Sequence, residues 1–291
     1  MGTVIDRLDV TRGGWRTRHS ALRLAVAAAK TCLERAGRDA DDVDLLINAG
    51  IYRDRNLAEP ALAALIQEDV GANPEDPHAD THGTFSFDIA NGTCGVLTAL
   101  QIVDGFLRSH TINCALVVTS DADPGRGMSE QFPFSPVGAA LLCNWTDDDY
   151  GLGRVHWANL PDDGENFRAT VGFEDARNVL RFSKSAMLDE QLAAAGAQVA
   201  RSCLVEASVE LADVDMIVAA PARYRAALAT HLDVPVDRIT VADDEGMHTA
   251  SLVAALHCAA EELPSGARVL LIAAGAGITA GAALYREAPH R

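Results

Sequence analysis

The stretch RVLLIAAGAGITAGAALYR, residues 268–286, reads as a buried strand, a glycine-rich turn and a second strand. A dinucleotide-binding fingerprint needs a helix after its glycines, whereas ITAGAALY continues as strand. A phosphate loop needs a closing Lys-Ser or Lys-Thr pair, which this segment lacks. The glycines therefore mark a turn between central strands, where backbone comes close to another backbone or to a substrate. Gly275, Ala276 and Gly277 are candidate active-site loop residues on that ground.

The same ending occurs earlier in the chain. Residues 113–120 and 137–145 read as two more buried strands joined through a Gly- and Pro-containing turn. Working outward, residues 20–36 carry apolar positions at helical spacing up to Gly37, 43–49 read as strand, 59–70 as helix up to Gly71, 84–89 as strand and 93–108 as helix. The second half repeats the order: strand near 151–157, helix over 185–211, strand at 214–219, helix at 222–231, strand near 238–241 and helix over 249–263. Two alternating α/β halves, 1–148 and 149–291, follow from this echo. They imply internal duplication around stacked sheets rather than a single doubly wound domain. Residues 159–184, rich in Asp, Asn and Arg, fit neither half and read as a surface insertion or lid.

With 291 residues, 48% of them hydrophobic and 22% charged, the chain can bury a large core without staples. Its net charge of −17 repels phosphate backbones and anionic lipid, so nucleic acid and membrane surfaces are not expected partners. The N-terminal segment has no signal-peptide apolar core, and the apolar runs are too short to span a bilayer. Cys32, Cys94, Cys114, Cys143, Cys203 and Cys258 are scattered singly in mostly apolar surroundings, which fits a reducing cytoplasm.

Three segments carry side chains suited to chemistry. In DIANGTCG, residues 88–95, Thr93 and Cys94 fall where a strand hands over to a helix. A thiol there feels the positive helix end and free N–H groups, which favour a thiolate and a developing oxyanion; the alternative is that Cys94 is a small residue in a tight helix start. In MHTA, residues 247–250, His248 precedes a helix and either faces a site or sits half-exposed in a loop. His78 and His82 are four apart with Asp80 between them, but Pro77 and Gly83 flank them, so a solvated turn is favoured over zinc. No metal site is expected.

Taken in order, VDLLINAG, DIANGTCGVLTAL, VDMIVAAP, MHTASL and AAGAGITAGAAL resemble the β-ketoacyl-acyl carrier protein synthase III family of the thiolase superfamily, over residues 20–286. The resemblance implies a five-layer αβαβα thiolase fold of two duplicated βαβαβαββ halves, usually dimeric. It also implies acyl chains carried as thioesters on coenzyme A or on the phosphopantetheine of an acyl carrier protein, with no resident cofactor. The family uses an acylated Cys with a His and an Asn for decarboxylative condensation. In register, the Cys falls on Thr93 with Cys94 one place later, the His on Ala222 and the Asn on His248. Helical residues point about 100° apart, so Cys94 does not face the pocket that Thr93 faces. The segment at 132–140 breaks the family's GlyAspGly-type turn, and GGWRTR at 13–18 only echoes its coenzyme A segment. Arg223 and Arg225 are candidate contacts for an acidic carrier protein.

Three functions are compatible with these residues. The first is a catalytically degenerate subunit of fatty-acid or specialised polyketide metabolism that supports an active condensing homologue, as homodimer or heterodimer. The second is an active acyltransferase using Cys94 or Thr93 with His248. The third is an acyl-thioester binding module.

Overall fold

Alternate residues of the short strand Leu45–Asn48 belong to two different cores, and that alternation organises the fold. In the computed structural model, which describes residues 2–73, 83–160, 165–260, 262–275 and 277–289, Leu45 and Ile47 pack into one buried cluster and Leu46 into another. Successive side chains of a strand point to opposite faces, so a strand apolar on both faces requires cover on both.

The elements of the first half are β1 (Gly2–Arg12), α1 (Ala21–Ala36), β2 (Leu45–Asn48), α2 (Leu62–Val70), β3 (Phe85–Asp88), α3 (Gly95–Arg108), β4 (Cys114–Asp121) and β5 (Val137–Thr146). Those of the second are β6 (Gly151–Leu152), β7 (His156–Asn159), β8 (Phe167–Glu174), β9 (Arg177–Lys184), α4 (Leu188–Ala207), β10 (Met216–Ala220), α5 (Arg225–Leu232), β11 (Ile239–Thr240), α6 (Ser251–Ala260), β12 (Arg268–Gly275) and β13 (Thr279–Arg286). Strand order runs β3-β2-β4-β5-β1 in the first half and β11-β10-β12-β13-β7 in the second, with the same parallel and antiparallel pairings. This is a duplicated βαβαβαββ topology. β6 pairs with both β1 and β13 and joins the two sheets into one hydrogen-bonded path.

Packing gives the layers. α1 and α2 cover the outer face of the first sheet through Leu46, Leu116 and Leu142. Helices α4 and α5 cover the outer face of the second through Ile217, Leu270 and Ile272. The helices α3 and α6 lie between the sheets, against Ile47 and Val117 on one side and Val218 and Leu271 on the other. Helix, sheet, helix pair, sheet and helix stack as five layers.

Several details differ from the sequence reading: the strand expected near 151–157 is split into β6 and β7, and the helices expected from 185, 222 and 249 begin at Leu188, Arg225 and Ser251. β1 was not anticipated. Its inward residues are Ile5, then Leu8 and Val10, because the register shifts between Ile5 and Arg7. Asp6 is thus an extra bulged residue that reverses the alternation midway and erases the period-2 signal. The helices expected from residues 59 and 93 begin later, at Leu62 and Gly95, the second after a 3₁₀ turn at Gly92–Cys94. Residues 167–184 of the inserted segment form the β8–β9 hairpin, packed through Leu180 and Phe182 onto the core under α1. His78, Asp80, His82 and Ala276 lie outside the described residues.

Candidate functional site

Duplication brings the amino ends of the two central helices to corresponding places, α3 after β3 and α6 after β11. Thr93 and His248 stand just ahead of those helices, and both are buried. The imidazole faces the 3₁₀ turn: a Cβ added to Gly92 would meet His248 Nε2 at 3.4 Å.

Four elements fix that ring. Asp121, at the end of β4, accepts the amide N–H groups of His248 and Thr249 at 2.8 and 2.9 Å and the Thr249 hydroxyl at 2.7 Å, capping the start of α6. Tyr52, in the loop after β2, lies with its hydroxyl 2.7 Å from His248 Nδ1. Phe134 stacks on the imidazole with centroids 4.4 Å apart and planes 9° from parallel, and Phe167 of the hairpin lies 6.3 Å away. Burial first, and the nearby Arg223 cation second, lower the His248 pKa to about 3, so the ring is neutral near pH 7.

Cys94 points elsewhere. Its thiol contacts the Thr279 carbonyl at 3.5 Å, and Gly275 closes over it, since a Cβ there would meet the sulfur at 3.5 Å. Burial alone pushes this thiol up to about 12, far from the range of a reactive thiolate. The sulfur and the imidazole thus have separate partners.

Ala222 is buried two residues past the end of β10, where a 3₁₀ turn begins. Arg223 Nε donates to Asp189, and Arg225 Nε donates to the Val236 carbonyl at 3.0 Å, so both guanidinium groups are engaged within the chain. Beside Phe134 opens a cleft of about 510 Å³ lined by Phe167, Phe182, Lys184, Asp189, Arg223 and Glu245. Among the described residues no group of three or more His, Cys, Asp or Glu side chains is arranged to hold a metal ion, and no helix is long and apolar enough to cross a membrane.

The profile of the 3-oxoacyl-[acyl-carrier-protein] synthase III C-terminal family matches residues 204–287. The β-ketoacyl-[acyl-carrier-protein] synthase III of Ehrlichia canis is 27% identical over 97% of this chain and 90% of its own length. That of Novosphingobium aromaticivorans is 28% identical over 98% and 93%. The crystal structure of 3-oxoacyl-[acyl-carrier-protein] synthase III from Aquifex aeolicus superposes with a TM-score of 0.80 at 21% identity, over 98% of this chain and 100% of that one. Over nearly its whole length the chain is similar to β-ketoacyl-[acyl-carrier-protein] synthase III proteins.

Within this synthase III-like chain the thiolase fold expected from the sequence is present. Sequence reading singled out Thr93, Cys94, His248 and the glycine loop, of which the structure sets the Cys94 sulfur apart from the His248 ring, and it did not single out Tyr52, Asp121, Phe134 and Phe167, which surround that ring. Tyr52 carried one signal, as an aromatic residue in the loop at the carboxyl end of a buried strand. Phe134 lay in the segment noted for breaking the family's turn, without any sign that it would stack on His248. Asp121, at the end of a continuous buried strand, carried none.

The lowered His248 pKa has a measurable consequence. Unfolded, this histidine takes up a proton below about pH 6.5, whereas folded it stays neutral down to about 3. The unfolded state therefore binds more protons in that window, and His248 makes the protein less stable as pH falls through it. Burial raises the Asp121 pKa, and that carboxyl acts in the opposite direction above its unfolded value, so the comparison must be with a variant. Relative to His248→Gln, the wild type is expected to lose about 2 kcal/mol between roughly pH 7.5 and pH 5, read from denaturant midpoints.

Proposed function

We propose that this protein is a synthase III homologue that receives acyl thioesters without forming carbon–carbon bonds, as the subunit of an active condensing homologue. What carries the reading is the chemistry at the α3 turn. A threonine hydroxyl is a poor nucleophile without an adjacent base. At the positions that correspond by resemblance to the family's Cys, His and Asn stand Thr93, Ala222 and His248. Ala222 offers neither proton nor lone pair. His248 is neutral but, with a pKa near 3, takes a proton poorly at neutral pH. Cys94 has the right element but a buried, protonated sulfur turned to Thr279. The chain does have a cleft: three phenylalanines line it together with Lys184, Arg223, Asp189 and Glu245, and its apolar part suits an acyl group on a phosphopantetheine arm.

The test is intact mass after incubation with acyl-CoA. The expected result is binding without a covalent adduct, together with a stable complex when an active homologue is supplied. A stoichiometric acyl adduct lost in Thr93→Ala or Cys94→Ala would overturn the reading in favour of the active acyltransferase. Tight thioester binding with no response to any homologue would favour the sequestering module.

A further inference from the structure

His248 has one ring nitrogen engaged and one free. Nδ1 faces the Tyr52 hydroxyl at 2.7 Å, and among the described residues no protein group hydrogen-bonds Nε2, which faces the turn at Gly92. A buried phenol has one proton to donate and needs an acceptor for it. Burial, with Asp121 nearby, keeps Tyr52 protonated, and the acceptor within its reach is Nδ1. When Nδ1 accepts, the single proton of a neutral imidazole resides on Nε2. The opposite tautomer, with Nδ1–H donating to the phenol oxygen, leaves the phenol proton without a partner in the interior.

The ring cannot readily turn away from this arrangement. Phe134 stacks flat on it, and the His248 amide is anchored to Asp121. Gly92, with a φ of +48°, adopts a left-handed backbone suited to glycine and carries no side chain between Nε2 and the turn.

We propose that Tyr52 is a positioning residue that holds His248 as its Nε2–H tautomer, so that Nε2 presents a fixed hydrogen-bond donor to the carbonyl oxygen of a thioester lodged at the Gly92–Thr93 turn. The inference rests on the acyl-thioester reading above and extends it to the group that recognises the carbonyl. The donor differs from an amide side chain in one respect: its direction depends on a second residue, in a loop from the other sheet.

Two measurements test it. In ¹⁵N NMR of the wild type near pH 7, His248 Nδ1 is expected to appear unprotonated and Nε2 protonated, with the signals assigned by their loss in His248→Gln. In Tyr52→Phe the two tautomers should mix or exchange. Calorimetric titration then compares butyryl-CoA and octanoyl-CoA with S-butyl-CoA and S-octyl-CoA, thioethers that lack the carbonyl. The wild type is expected to prefer the thioester about three- to tenfold, the size of one neutral hydrogen bond. That preference should vanish in Tyr52→Phe. His248→Gln, whose amide donates without help from Tyr52, should retain it in both the single and the double variant. An Nδ1–H tautomer in the wild type overturns the role of Tyr52. Equal affinity for thioester and thioether overturns the carbonyl contact while leaving the acyl-thioester reading intact. Failure of both the thioesters and the thioethers to bind the folded wild type overturns that reading and the carbonyl contact with it.

Discussion

Gly138→Ala is expected to destabilise the protein by about 4 kcal/mol or more, the range reached only by severe overpacking or loss of buried partners. Gly138 lies in β5, in register with Thr11 of β1 and Ser120 of β4, directly beneath α1. A Cβ there would stand 2.1 Å from the Leu24 carbonyl oxygen and 2.5 Å from its carbon. These are backbone atoms in the first turn of α1 and no rotamer change relieves them, so the start of α1 has to lift from the sheet. Lifting α1 also disturbs the site. Asp54 accepts the Ser20 hydroxyl at 2.7 Å and the Ala21 amide at 2.6 Å, tying the start of α1 to the loop that carries Tyr52. At roughly 2–4 °C per kcal/mol for a chain of this size class, thermal unfolding should drop by about 10 °C or more. Gly105→Ala is the control of opposite sign. Gly105 is exposed on α3 with nothing within 4 Å of a new Cβ, and alanine there should add about 0.5–1 kcal/mol. Equal effects at the two positions would refute the close approach of α1.

Why some of this was legible in sequence and some was not follows from range. Residues 268–286 gave away the closing hairpin because a buried strand, a turn and a strand are written in consecutive residues. The helices up to Gly37 and Gly71 were legible because their periodicity and their left-handed caps are local; the caps have φ of 63° and 87°. β1 was hidden by one bulged residue that puts Ile5 and Leu8 on the same face at a spacing of three. The setting of His248 was hidden for another reason. Its ring partner Tyr52 is 196 residues away and its amide partner Asp121 is 127 away, and each contact depends on how the duplicated halves face each other. The turn from Thr93 to Cys94, by contrast, was readable from helical geometry. One step rotates the side chain by about 100° in an α-helix and about 120° in the 3₁₀ turn found here, and the structure directs the sulfur to Thr279.

That rotation sets up the strongest chemical prediction. Thr93→Cys is expected to convert a protein that forms no adduct into one that is acylated stoichiometrically by acyl-CoA, seen as the mass of one acyl group. The sulfur would stand ahead of the fourteen-residue helix α3, whose positive end favours a thiolate, whereas the native Cys94 sulfur is held at about 12 by burial. A thiolate there attacks the thioester carbonyl carbon, the carbon–sulfur bond to coenzyme A breaks, and the coenzyme leaves as its thiol after taking up a proton. Adding Ala222→His supplies a proton acceptor from just past the end of β10, and acylation should then speed up by about 10²–10⁴-fold, the usual contribution of a positioned base. Cys94→Ala in the same background should leave the adduct unchanged. If folded Thr93→Cys stays unmodified in the presence of bound acyl-CoA, then residue 93 does not face the ligand, and the absence of a reactive group at that turn no longer explains why the chain would bind thioesters without turning them over.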